Sequence, residues 1–194
     1  MSRHYGVSLA VVREALVRLV GEGLAERLTN RGFAVPAFSD HRWQQIGEAR
    51  RTIEPIVLRM SIERGDIAWE GDVRATHHRL ARTPVFTPEG GEYYEEWAGA
   101  HRVFHRTLLQ GCDNPVLLET FDRMWVASEL ARRWSAHRDP GRDGIDEHRR
   151  LEQAALARDP DTATLTRHLT LTTAALADGI SDNPASRSEA NRTK

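Results

Sequence analysis

The sequence predicts a mainly α-helical protein: a partial winged helix-turn-helix followed by an all-helical antiparallel bundle. Residues 6–24 read as a turn that opens into an amphipathic helix, and residues 24–35 read as strand, turn and strand. From residue 40 onward six successive segments read as helices, five of them with apolar side chains recurring at helical spacing, which is the pattern of a bundle.

The amino-terminal module is built around one helix. Gly6 permits a tight or left-handed backbone, and Ser8 supplies the hydroxyl of an N-cap. Val12, Ala15, Leu16, Leu19 and Val20 fall at i, i+3, i+4, i+7 and i+8 and form a single inward stripe. Arg13, Glu14 and Arg18 are left facing outward, where a guanidinium suits a phosphate or a guanine edge. Glu22 and Gly23 end the helix. Residues 24–28, the tip Thr29, Asn30, Arg31 and Gly32, and residues 33–35 then make a hairpin with a basic end. Helix and hairpin together give the winged module, with Ser8, Arg13, Arg18, Arg27, Asn30, Arg31 and Gly32 as candidate DNA contacts. The alternative is an amphipathic helix and hairpin that merely cap another domain.

Pro36, Ser39 and Asp40 read as a linker closing on a helix N-cap, so the expected domains are residues 1–36, a linker at 37–40, and a helical effector-binding and dimerisation domain at 41–180. The helix at about 40–65 carries Trp43, Ile46, Ile53, Ile56, Val57 and Met60 on its apolar face, and Pro55 is expected to break or kink it. Residues 67–80 form a further, poorly patterned helix whose adjacent His77 and His78 point in different directions and read as solvated. Residues 83–91 are a plain loop. Along 93–111, Trp97, His101, Phe104, His105 and Leu108 share one face. The helix at 116–134 turns Leu117, Phe121, Met124, Trp125 and Ser128 inward, and the one at 145–158 puts His148 on a stripe with Ile145, Leu151 and Ala155. Asp159 and Pro160 start the last helix, where Leu165, His168, Leu169, Thr172, Ala175 and Leu176 share a face. The tail at 181–194 has almost no apolar content and is expected to be disordered.

Composition bounds the function. The chain has 194 residues, 40% hydrophobic and 28% charged, with a formal net charge of -1. That balance does not announce a nucleic-acid binder, although residues 1–36 carry five Arg against three Glu. One cysteine, Cys112, excludes a disulfide framework and a Cys-based zinc cluster. No apolar run approaches the roughly 20 residues of a membrane span, so a soluble, cytoplasmic protein is expected.

Two imidazoles at i, i+4 on an inward face, His101 and His105, can hold one metal ion. His148 and His168, inward on two later helices, can close the coordination. The alternative is four separately hydrogen-bonded core histidines. Burying several imidazoles without a shared partner repeats the polar desolvation each time, which favours a common site. The Glu beside the first His that a thermolysin-like protease uses is absent, so a metal-dependent enzyme is the weakest of the readings.

Gly6-Val7-Ser8, Val12-Arg13-Glu14-Ala15-Leu16, Arg18-Leu19, Glu22-Gly23-Leu24 and Arg31-Gly32-Phe33-Ala34-Val35 resemble the DNA-binding signature of GntR-type bacterial transcriptional regulators. Leu9-Ala10-Val11 stands where that family usually has Arg-Thr-Pro, and the chain starts roughly where its second helix is under way, so the first helix is expected to be missing. Glu48-Ala49-Arg50-Arg51-Thr52-Ile53-Glu54-Pro55 resembles the opening helix of the FCD effector domain found in the FadR branch. The resemblance implies that Arg50 faces a ligand cavity and pairs a carboxylate effector; the alternative is an i, i+4 surface salt bridge to Glu54. Phe104-His105, Asn114-Pro115, Glu147-His148 and Arg167-His168-Leu169 look like the metal-binding FCD pattern, in which an Asp and three His hold a divalent cation. His101 stands where the Asp is usual, which favours zinc, nickel or copper over manganese or magnesium. His168 arrives about two residues early relative to Asp159, but its stripe with Leu165 and Leu169 turns it inward.

The resemblance therefore implies a ligand-responsive transcription factor, a repressor, acting as a homodimer on operator DNA, with zinc or nickel and a small carboxylate bound in its helical domain. A truncated sensing and dimerisation module without competent DNA binding is the runner-up.

Overall fold

In the computed structural model the described residues are 6–21, 25–29, 31–34, 40–87, 94–135, 143–159 and 161–180. The expected helix stop at Glu22 and Gly23, the hairpin residue Asn30, linker residues 37–39, loop residues 136–142 and the tail at 181–194 lie outside them.

The amino-terminal module has helix α1 (Leu9–Gly21) and an antiparallel hairpin of β1 (Glu26–Leu28) and β2 (Gly32–Ala34). Ser8 Oγ accepts from the Val11 amide at 3.3 Å, and Gly6 holds φ +64 just before it, as its conformational freedom allows. The hairpin pairs Glu26 with Ala34, Arg27 with Phe33 and Leu28 with Gly32, whose φ is +92. On α1 the expected stripe is half-buried at Val12, Leu16, Leu19 and Val20, while Ala15 is exposed. No residue of the helix is buried, so its fold owes little to packing within this chain.

Six further helices form the bundle: α2 (Asp40–Arg64), α3 (Ile67–Arg82), α4 (Glu95–Gln110), α5 (Pro115–Ser135), α6 (Gly144–Leu156) and α7 (Ala163–Ile180). Three of their starts are capped by side chains that the sequence supplies. Asp66 accepts from the Trp69 amide, Asn114 from the amides of Val116 and Leu117, and Asp143 from that of Asp146. One core runs through the bundle, with Val57, Val73, Phe104, Leu108, Phe121, Leu151 and Leu165 almost wholly buried. Each such side chain contributes about 1.5–3 kcal/mol of burial. α2 packs along α7, and α3 along α4. At the first of these contacts Trp43 Nε1 donates to the Thr173 carbonyl at 3.1 Å and Arg51 Nη1 to Thr173 Oγ1 at 2.9 Å. Gly47 lies between them, where a Cβ would meet Thr173 Cγ2 at 2.6 Å. The two helices can touch there only because Gly47 has no side chain.

Several expectations change. Pro55 sits inside a continuous helix, because α2 is held along its length by the core and tolerates the one lost backbone bond. Ile56 and Ile145 are 59% and 56% exposed and fall at the edge of their stripes, while Val57 and His148 are buried as expected. The last helix begins at Ala163 rather than at Asp159. Asp159 and Asp161 spend their carboxylates on the amides of Asp161 and Ala163, which builds a non-helical turn ahead of α7. His78 is exposed as expected, but His77 is buried: it shares a face with Val73 and Leu80, and its Nδ1 lies 2.7 Å from Glu152 on α6. No described helix is long and apolar enough to cross a membrane.

Candidate metal centre

The bundle brings the four expected histidines together. α4 supplies His101 and His105 one turn apart, α6 supplies His148 and α7 supplies His168, all at least nine-tenths buried. One nitrogen from each ring can be chosen so that all four lie within 4.8 Å of one another. His101 Nε2 and His148 Nε2 are 3.0 Å apart, and the rings of His105 and His168 stack at 5.0 Å. The helix that carries His168 starts at Ala163, so the count from Asp159 does not set the ring's direction. The stripe with Leu165 and Leu169, 1% and 2% exposed, therefore governs where the ring points.

This donor set fits a divalent transition metal. Zinc–nitrogen bonds of about 2.0–2.1 Å put the nitrogens of a tetrahedral shell about 3.3 Å apart, close to the shortest separation here. Neutral imidazoles in this number suit zinc, nickel or copper rather than magnesium or calcium, which take oxygen. A carboxylate also stands in the second layer: Glu147 Oε2 lies 2.7 Å from His168 Nδ1.

Aromatic side chains wall the histidines. Trp97, in the first turn of α4, stacks on His101 at 4.5 Å. Trp125 stands 5.1 Å from His101 and 5.4 Å from His105, and Phe104 lies 5.6 Å from His105 and 5.7 Å from His148. Beyond Trp125 is Arg50, whose Cζ is 5.4 Å from the indole centre. Arg50 does pair with Glu54, Nε donating to Oε1 at 2.5 Å and Nη2 to Oε2 at 3.3 Å, but the pair is buried, 4% and 1% exposed, rather than on the surface. Glu54 compensates a guanidinium that would otherwise be costly to bury.

The described candidate DNA contacts are all on the surface. Ser8, Arg13 and Arg18 are exposed at and along α1, and Arg27, Arg31 and Gly32 are exposed on the hairpin. Asn30 is outside the described residues. Sequence reasoning missed two features around the bundle histidines. The burial of His77 was legible in its spacing from Val73 and Leu80. The contact of Glu147 with His168 was not, since the two lie on different helices 21 residues apart.

Two family models match the chain: bacterial regulatory proteins of the gntR family over residues 1–35, and the FCD domain over residues 45–171. Among similar proteins, the HTH-type transcriptional regulator BphR of Paraburkholderia xenovorans (strain LB400) is 32% identical over 166 residues, covering 84% of this chain and 68% of that protein. The HTH-type transcriptional repressor GlaR of Escherichia coli (strain K12) is 28% identical over 169 residues, covering 84% and 76%. Among solved structures, E. coli McbR/YncC matches with a TM-score of 0.74 at 20% identity over 91% of this chain and 84% of that one. A regulator from Rhodococcus sp. RHA1 matches with a TM-score of 0.69 at 19% identity over 94% and 84%. At those identities the structures speak for the fold alone. The chain belongs to the GntR family of bacterial transcriptional regulators, its DNA-binding module followed by a helical FCD domain.

Proposed function

We propose that this protein is a repressor whose helical domain holds zinc or nickel through His101, His105, His148 and His168 and binds a small carboxylate beside it. The convergence of four buried imidazoles from three helices is the observation that supports this most. A divalent ion there would supply a Lewis-acidic position for a carboxylate oxygen. The protein's own residues do the rest. Four neutral rings bring no charge to offset an ion's, and Glu147 brings one, so an anionic effector suits the site electrostatically. Arg50 offers its remaining Nη1 edge, since Glu54 occupies Nε and Nη2. Trp97 and Trp125 keep bulk water from the rings they cover.

Operator DNA would be read by the exposed Arg13, Arg18, Arg27 and Arg31, with Ser8, Asn30 and Gly32 at the turn and hairpin tip. A homodimer would present two such heads to a two-fold site. Effector binding shifts operator affinity only by as much as the effector itself prefers one arrangement of the heads. The test is DNA binding by anisotropy on a fragment selected from genomic DNA, with and without zinc and a panel of small carboxylates. The expected result is tight binding relieved by one carboxylate only when zinc is present. Operator affinity indifferent to every acid, with or without metal, would overturn the reading.

A second reading, a sensing and dimerisation module without competent DNA binding, is favoured by the absence of any buried residue on α1. Failure to retain any DNA fragment in the same selection would decide for it.

A further inference from the structure

We propose that Glu147 is a positioning residue of the metal centre, fixing the proton and orientation of His168 and so deciding whether the site has four imidazole donors or three. The inference rests on the metal reading given above. Glu147 is near the start of α6, next to His148; one step along a helix turns a side chain by about 100°, so the two neighbours can serve different partners. His148 faces the other histidines, and Glu147 reaches across to α7, where its Oε2 is 2.7 Å from His168 Nδ1. Arg149 and Arg150, the cations that follow on α6, both pair with Asp146.

A carboxylate that accepts from Nδ1 of His168 would hold the proton on that nitrogen and leave the Nε2 lone pair for an ion. His168 is 6% exposed and Glu147 20%, so the contact is largely shielded from water and strong for its kind. His168 is also the one donor supplied by α7. His101 and His105 are fixed to each other by one helix, whereas His168 comes from α7, and the Glu147 contact adds to the packing and ring contacts that set its direction. Glu147 is thus a determinant of donor number, and with it of metal choice.

The test is a double-mutant cycle on the full chain, with zinc affinity measured by competition against a chromophoric chelator and metal-free melting recorded for every variant. Glu147→Ala should weaken zinc binding by about 10–100-fold, and Glu147→Gln, which keeps an accepting oxygen, by less. On a His168→Ala background, Glu147→Ala should change affinity by less than about 3-fold, because the route through His168 is gone. X-ray absorption of the zinc-loaded wild-type and Glu147→Ala proteins should count four and three imidazoles. Equal losses on both backgrounds, or none in the wild-type one, would overturn the inference while leaving the metal site standing. If Glu147→Ala does not fold, Glu147→Gln on the same two backgrounds decides by the same criterion. Wild-type protein that takes up no zinc would overturn the metal reading, and this inference with it.

Discussion

The two working regions of this chain are built on opposite terms. In the DNA-binding module every described candidate contact is exposed, and α1 has no buried residue. In the FCD domain every candidate ligand is buried and touches another ring of the set. A residue that must meet a large external partner has few partners of its own, so replacing it leaves the fold nearly unchanged. A residue that must meet an ion inside the core is part of the packing. The same substitution therefore means different things in the two halves.

Stability measurements sharpen that contrast. The largest effect expected is for Phe104→Ala, which empties a fully buried position between His77, His105 and His148; unfolding by denaturant should show a loss of about 3–5 kcal/mol. Next comes metal linkage: zinc at a hundredfold its dissociation constant should raise stability by about 2.7 kcal/mol in the wild type and leave His105→Ala unmoved in a thermal melt. Gly47→Ala should follow at about 1–3 kcal/mol, since its new Cβ would collide with Thr173, whose side chain is tied to Arg51 and to the Leu169 carbonyl. Arg13→Ala should come last, within about 0.5 kcal/mol of wild type in the melt, yet weaken binding to a selected operator by about 1–3 kcal/mol in an anisotropy titration. A large stability loss from Arg13→Ala would break the comparison between the two regions.

Much of this was legible in the chain itself. The turn at Gly6, the cap at Ser8 and the hairpin follow from local chemistry, and the structure keeps the turn, the cap and the pairing of residues 26–28 with 32–34. The inward stripe through His101, Phe104, His105 and Leu108 follows from spacing alone, and all four are buried. Phase was harder. Asp159 with Pro160 looks like a helix start, but the two Asp side chains can equally hold a turn, and only the tertiary register of Leu165 and Leu169 selects that outcome. Spacing also assigns a stripe more width than the core can use, which is why Ile56 and Ile145 end on the surface. Arg50 shows the limit of pairwise reasoning: an i, i+4 partner was visible, but that the pair would be buried beside Trp125 depends on a helix far along the chain. The contact of Glu147 with His168 had no local signal at all.

The contrast between an exposed reading head and a buried sensing centre turns on whether the four rings share one ion. Elemental analysis of the full chain, purified without an affinity tag and then incubated with zinc or nickel, measures this directly. About one ion per chain in the wild type, lost in a folded His105→Ala variant, is the expected result. Protein that stays metal-free after incubation with either ion would contradict it and leave four core histidines.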